Sequence, residues 1–386
     1  MVLSMIAALG WEARQLDVDM AYLEAEVEED IYVELPEAYR DSRKQVGLLK
    51  KAMYGLVHAG LLWSNKVRDR ARGEGFQISQ ADPCVFRRIL HGVVVVVIVV
   101  YVDDLLVASE TERDEEQAVR DLYSSFPIKD LGEASYYLEC HIMRDRNAGT
   151  LKFDQHQCIQ TAATIAAAAG GKALSKSDSP QTDAEFEEMR QIPYREIVGT
   201  LMWAATMIRP DISFAAYQLA KFNDNPGPTH WRSAQKALQY LWRTRDLGIT
   251  YGREPGEGTK LSAWINADYG TCPDTRRSVS GGAVMMAGGA MSWFSRIQKV
   301  TAAASSKSEY GALAEMVNEL CFLQQMAKNR FSSRRTRHVG IKNHIVRDAI
   351  DGGVVQIEYV RSGEHQADIL TKSVDVKTIQ KHAKFL

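Results

Sequence analysis

The sequence predicts an α+β fold for its N-terminal part, followed by a helical middle unit and a second mixed block. Three observations carry this. Eight consecutive β-branched residues, 93–100, run almost straight into two adjacent aspartates, Asp103 and Asp104. The run is too short to span a bilayer, which takes about 20 residues as helix, so it reads as a buried strand. Amphipathic helical patterns stand on either side of it, which suggests helices packed on one face of a mostly antiparallel sheet. Two small, polar, glycine-bearing stretches, 162–180 and 253–260, then divide the chain like linkers.

In chain order, Leu3, Ile6 and Leu9 recur on one helical face and Gly10 closes that helix. Residues 12–18 (EARQLDV) form a strand, and 31–35 (IYVEL) alternate until Pro36 stops them. From 54 to 72, Leu56, Gly60, Trp63 and Val67 fall on one helical face, ended by Gly73 and Gly75. After the valine strand, a helix starts near Asp114 and carries Val119, Leu122 and Phe126 up to Pro127. Strands follow at 134–143 and 150–153. Residues 194–243 are helical, with Pro210 and Asp211 as a helix start, Asp211 as its N-cap, and a break at 226–228. Trp203, Trp231 and Trp242 of this unit are expected in the core rather than as stacking platforms for bases.

Of the 386 residues, 45% are hydrophobic and 25% charged, an ordinary globular balance. Five cysteines, scattered and never in CxxC spacing, indicate neither a disulfide framework nor a zinc site, and an intracellular, reducing setting fits them. His338 and His344 lack ligand spacing. The apolar start has no basic region ahead of it and no clean cleavage site, so it is not read as a signal peptide. A formal charge of −2 argues against polyanion binding by the whole chain, yet residues 320–347 carry seven Lys or Arg and no acid. That segment could meet a phosphate backbone or be a solvated basic loop.

Asp17, at the end of one strand, and the pair Asp103 and Asp104, at the end of another, are the candidates for chemistry. Carboxylates on neighbouring strand ends can hold Mg²⁺ as hard oxygen ligands and leave positions open for phosphate oxygens. Two such ions, about 3.5 to 4 Å apart, clamp an in-line phosphoryl transfer. Adjacent strand residues point to opposite faces, so a tight turn is expected at the aspartate pair. A solvated hairpin tip is the simpler alternative.

The segment YVDDLLVAS (101–109) resembles the YxDD box of reverse transcriptases, and QLDVDMAYLEAEVEEDIYVELPE (15–37) resembles the box of copia-type retrotransposon polymerases that carries their first metal-binding aspartate. The resemblance continues in the family's order through KKAMYGLVHAGLLW, DPCVF, IKDLGEASYYLECHI, YREIVGTLMWAATMIRPDISFA, RRSVSGGAVMMAGGAMSWFS, SRRTRHVGIKNHIVRD and HQADILTK. It covers nearly the whole chain.

The resemblance implies a fold of α+β and α/β parts. A right-hand polymerase palm with truncated fingers would occupy 1–160, a linker and helical thumb or connection region 161–253, and a degenerate ribonuclease H-like domain 254–386. It implies RNA-directed DNA polymerase activity, with Asp17, Asp103 and Asp104 as catalytic metal ligands. Tyr22 would pack under the incoming sugar and His58 would lie at the nucleotide. Two Mg²⁺ ions, or Mn²⁺ in their place, would be the cofactors. An RNA template with a DNA primer, or an RNA–DNA hybrid, and deoxynucleoside triphosphates would be the partners, with no membrane involved. The location implied is cytoplasmic, in virus-like particles.

Several boxes depart from the family pattern. Sixteen residues precede Asp17, where the family has a fingers segment rich in Lys and Arg. Val57, His58 and Leu61 stand where the family carries a lysine, a glutamine and an arginine. In the ribonuclease H-like block, Asn266 takes the position of the first metal aspartate, Glu309 and Asp368 match two further ligands, and a DNQSA-like box is expected to be deleted. Asp268, two residues on from Asn266, would share its strand face one pleat repeat further along, which leaves open whether it stands in for the lost charge. Ribonuclease H activity is therefore not expected. A retroelement product without catalysis, at most binding nucleic acid, and a generic metal-dependent phosphohydrolase are the alternative readings.

Overall fold

The structure is a computed structural model and describes residues 1–39, 45–80, 82–156, 159, 174–252, 260–328, 346, 349–353, 355–361, 364–374 and 376–383. Most of the basic segment, His338, His344, Cys158, residues 253–259 and most of the 162–180 stretch lie outside the described residues. The chain divides into two compact units, one comprising Val2 with Gly10–Leu138 and the other Met1, Leu3–Leu9 and Glu139–Leu386. The four described cysteines are free thiols.

Helix α1 (Val2–Leu9) forms as its periodicity predicts and ends at Gly10 with φ of +70°. Its buried residues are Ser4, Ile6, Ala7 and Ala8, whereas Leu9 is exposed, so the expected Leu3–Ile6–Leu9 face is rotated.

In the first unit, strands β1 (Glu12–Val18), β2 (Tyr32–Glu34), β3 (Val46–Leu48), β4 (Gln77–Ile78), β5 (Val85–Leu90), β6 (Val93–Tyr101), β7 (Asp104–Ser109) and β8 (Ile128–Glu133) are joined by α2 (Ala59–Gly73) and α3 (Glu112–Tyr123). Strands β2 and β3 make a separate ribbon. The other six form an antiparallel sheet in the order β4-β5-β6-β7-β1-β8.

One face of this sheet, formed by Leu16, Val18, Val96, Ile98, Val100, Leu105 and Val107, packs against Trp63, Val67 and Ala71 of α2 and Ala118, Val119 and Leu122 of α3. Val97, Leu106 and Ala108, on the opposite face, are buried as well. Burial on both faces explains why β6 is continuously apolar rather than alternating.

Helix α2 begins five residues later than its sequence pattern suggests. Gly55, at φ of +96°, holds the preceding loop out of helical geometry. The strand expected at 134–143 is interrupted at Leu138 and Glu139, which have φ of +50° and +61°. Strand β8 was not anticipated, because half of its sequence IKDLGE is charged and it carries a glycine. It is the edge of the sheet, where charged residues are the usual guard against further pairing.

The second unit holds strands β9 (Cys140–Asp145), β10 (Thr150–Asp154) and β11 (Ile249–Gly252), paired antiparallel. Helices α4 (Asp183–Arg190), α5 (Tyr194–Met207), α6 (Ser213–Ala220) and α7 (Pro228–Arg243) follow β10 in sequence, and α5 to α7 close around Ile197, Leu201, Ala216, Leu219 and Leu238. Trp231 and Trp242 pack against that core, while Trp203 is partly exposed. Asp211 is not an N-cap. It is buried, takes both Nε and Nη2 of Arg209 at 2.8 and 2.7 Å, and accepts from the Tyr240 hydroxyl at 2.8 Å.

The same unit continues with the antiparallel sheet β12 (Ser262–Ala267), β13 (Val279–Met286) and β14 (Gly289–Ile297). Helix α8 (Ser305–Lys328) packs on it through Met316, Leu320 and Leu323. A 3-10 turn, Gln366–Leu370, and α9 (Val376–His382) complete the unit. Gly281 on β13 lies opposite Asn266 on β12. A Cβ there would stand 2.7 Å from Leu370 Cβ and from Thr371 Cγ2, so glycine is what lets the 3-10 turn approach the strand pair.

Candidate active site

The hairpin that carries the aspartate pair is built by the sheet around it. Tyr101 and Asp104 are partners across β6 and β7, leaving Val102 and Asp103 as a two-residue turn. The tight turn expected at the pair is therefore present. Val102 adopts φ of +56°, a region that a β-branched residue rarely occupies. Two contacts fix the turn: the Trp63 indole N–H donates to the Val102 carbonyl at 2.7 Å, and the Val18 amide donates to the Asp103 carbonyl at 2.9 Å.

Strand β1 brings the third carboxylate. Asp17 is the cross-strand partner of Asp104 on β7 and of Lys129 on β8. Directly opposite residues of an antiparallel pair share a face, so the Asp17 and Asp104 side chains project together. Burial, then the charges of Asp103 and Asp19, push the Asp17 carboxyl above its usual range, against the pull of Lys129. Burial, then Asp103 and Asp17, do the same to Asp104, opposed by a hydrogen bond from Gln15. The three groups thus repel one another, a condition that a bound cation relieves.

Two tyrosines flank the turn. The Tyr54 hydroxyl donates to Asp103 Oδ2 at 3.3 Å, and its ring lies 4.6 Å from that of Tyr22 at a tilt of 49°. Tyr22 is half-buried, in the 3-10 turn Ala21–Glu24 that follows β1. His58 occupies the position before α2 without capping it and is exposed. Val57 and Leu61, beside it, are 90% and 57% exposed, so the two apolar replacements stand in solvent where charged side chains would be at home.

In the other unit, Asn266, Glu309 and Asp368 also come together. The Asn266 amide donates to Asp368 Oδ1 at 2.5 Å and to the Thr371 hydroxyl at 3.1 Å, and the Ala267 amide donates to Glu309 Oε2 at 3.1 Å. Asp268 is spent elsewhere: it is buried and accepts from the Val279 amide at 2.6 Å and from the Thr271 hydroxyl.

The family described as reverse transcriptase (RNA-dependent DNA polymerase) matches residues 1–168. A transposon Ty5-1 protein of Saccharomyces cerevisiae is 30% identical over 313 residues, which cover 79% of this chain and 100% of that protein. This chain belongs to the reverse transcriptases of copia-type retrotransposons. The retrovirus-related Pol polyprotein from transposon TNT 1-94 of Nicotiana tabacum is 30% identical over 97% of the chain, and that from transposon RE1 of Arabidopsis thaliana 27% identical over 99%. The chain spans 30% and 28% of the length of these two polyproteins.

Membership of the reverse transcriptases implies divalent-metal dependence in general. The hairpin of this copia-type chain offers the right donors for it, hard carboxylate oxygens under mutual repulsion. Among the described residues no group of three or more His, Cys, Asp or Glu is gathered closely enough to hold an ion by itself. No helix among the described residues is long and apolar enough to cross a membrane.

Sequence reasoning missed the partners that aim the carboxylates. Trp63 was legible as a buried face residue, but its indole contact with the turn was not. Tyr54 lies in the quoted KKAMYGLVHAGLLW box, and an aromatic directly before a glycine in the loop ahead of α2 was the available signal.

Proposed function

We propose that this copia-type reverse transcriptase chain carries out template-directed addition of a deoxynucleotide to a primer 3′-hydroxyl. Asp17 and Asp103 would hold two Mg²⁺ ions with Asp104 beside them, Mn²⁺ being the alternative ion. The observation that supports the reading is the register of the sheet, in which Asp17 pairs with Asp104 and the turn before it carries Asp103. When bound, the metal pair would supply charge stabilisation to the attacking and leaving oxygens. Phosphoryl transfer asks for little else from the protein than position and electrostatics.

The chain's own residues would do the positioning. The Tyr22 and Tyr54 rings would border the sugar, and His58 would stand at the phosphates. Trp63, by holding the Val102 carbonyl, would keep Asp103 at a constant height above the sheet. Residues 1–160 would serve as palm, 161–253 as thumb or connection region, and 254–386 as an inactive ribonuclease H-like domain. The partners would be an RNA template and a DNA primer or their hybrid, in the cytoplasm and within particles.

One observation favours a second reading, nucleic-acid binding without catalysis: exposed Val57 and Leu61 cannot grip a triphosphate as cations do. Primer extension on an RNA template, with Asp103→Asn as control, separates the two. Template-dependent extension that the variant loses supports polymerization. Binding of the primer–template without extension at saturating Mg²⁺ supports the second reading. Phosphate release from nucleotides without any template would point to a phosphohydrolase instead.

A further inference from the structure

The cluster formed by Asn266, Glu309, Asp368 and Lys372 has the carboxylates of a cation site, and an exposed lysine of the same chain is paired with one of them. Lys372 Nζ lies 2.8 Å from Asp368 Oδ2, while the Asn266 amide occupies Oδ1 of the same carboxylate at 2.5 Å. Both oxygens of Asp368 are therefore engaged by protein donors. The remaining carboxylate, Glu309, accepts the Ala267 amide at 3.1 Å, and Asn266 turns its own Oδ1 to that same amide at 2.9 Å. As arranged, the donor set does not fit a divalent ion: the Asn266 Oδ1 that could ligate one accepts from the Ala267 amide, its Nδ2 faces Asp368, and Lys372 lies against the other Asp368 oxygen.

We propose that the Asn266 amide and the Lys372 ammonium together replace a divalent cation between Asp368 and Glu309, making this pocket a metal-independent clasp. It ties β12, through Asn266 and Ala267, to the start of α8 at Glu309 and to the 3-10 turn at Asp368. A carboxylate at residue 266 would repel Asp368 and Glu309 until a counter-ion arrived. An amide there instead donates to Asp368, and the lysine four residues after Asp368 neutralises it from within the chain. Asp268 does not compete for the role, because its oxygens hold Val279 and Thr271. The absence of a Cβ at Gly281 lets the turn pack directly against the strand pair. This inference is independent of the polymerase reading, since none of its residues belongs to the Asp17 and Asp103 hairpin.

Localised backbone cleavage tests it. Fe²⁺ takes Mg²⁺ positions and, with ascorbate and peroxide, cuts the chain beside the bound ion. Fragment ends therefore distinguish this pocket from the hairpin at residue 103. The full-length wild-type chain is expected to give no fragments ending near 266, 309 or 368. The double variant Asn266→Asp with Lys372→Met is expected to gain them and to lose them again when excess Mg²⁺ competes. Cleavage of the wild type at these positions would overturn the proposal. So would a double variant that melts cooperatively yet is not cut, because the two replaced groups would then not be what keeps metal out. If the double variant does not fold, Asn266→Asp with Lys372→Gln, which also removes both groups, is read in its place with the same two outcomes.

Discussion

Asp17 and Asp104 face one another across the β1–β7 ladder, each held above its ordinary carboxyl range by burial and by neighbouring negative charge. Their folded-state pKa values exceed those of the unfolded chain, so protonation favours folding. The stability they allow is present below the unfolded carboxylate range and falls as pH rises through the folded values. Asp104→Asn should remove its share of that loss. In metal-free buffer the melting temperature of the variant is expected to exceed that of the wild type by a margin that widens from acidic to neutral pH. A constant margin would show that repulsion at this pair is not its source.

Val102 bears the conformational cost of the hairpin, a β-branched residue at φ of +56°. Left-handed backbone costs a non-glycine residue about 1–2 kcal/mol, and asparagine tolerates it better. Val102→Asn should therefore stabilise the chain by about 1 kcal/mol in denaturant unfolding. Unchanged or lower stability would mean that the side-chain packing of Val102 outweighs its strain.

The Trp63 indole joins the α2 layer to the turn through the Val102 carbonyl. Trp63→Phe keeps an aromatic in the core and deletes that hydrogen bond, at a cost of about 1–3 kcal/mol for the carbonyl left without its partner. If the contact also positions Asp103, nucleotide incorporation at saturating Mg²⁺ should fall further than the loss of folded protein explains. A fall matching the folded fraction would confine Trp63 to packing.

Gly281 allows the 3-10 turn bearing Asp368 to lie on the sheet, where an added Cβ would sit 2.7 Å from Leu370 and Thr371 atoms. Gly281→Ala should cost about 1–3 kcal/mol, as overpacking of a tight contact does. Gly73→Ala, where nothing lies within 4 Å of the added carbon, is the control and should leave the melting temperature close to the wild type.

The parts of this fold that were legible were those where one strong local signal sufficed. β-branched continuity defined β6, and the strand read at 12–18 has its observed limits as β1. Asp17 and Asp103 could be singled out as candidates because each stands at a strand end, Asp103 just after a continuous apolar run. What could not be read depended on partners distant in sequence. The pairing of β8 with β1, which puts Lys129 opposite Asp17, is made by a strand whose own composition is that of a loop. The Asn266–Thr371 hydrogen bond joins residues 105 positions apart, and the role of Lys372 is visible only beside Asp368. Val57 and Leu61 show the reverse case: the sequence flagged their chemistry, and their exposure gives that change its meaning.

Single-nucleotide incorporation on an RNA template tests the central claim most directly, comparing wild type with Asp17→Asn and Asp103→Asn at saturating Mg²⁺ and nucleotide. If these carboxylates are the metal ligands of a polymerase, the wild type extends the primer by the templated base and each variant is slower by about a hundredfold or more. A wild-type chain that binds primer–template without extending it, or a variant that extends at the wild-type rate, would contradict the account.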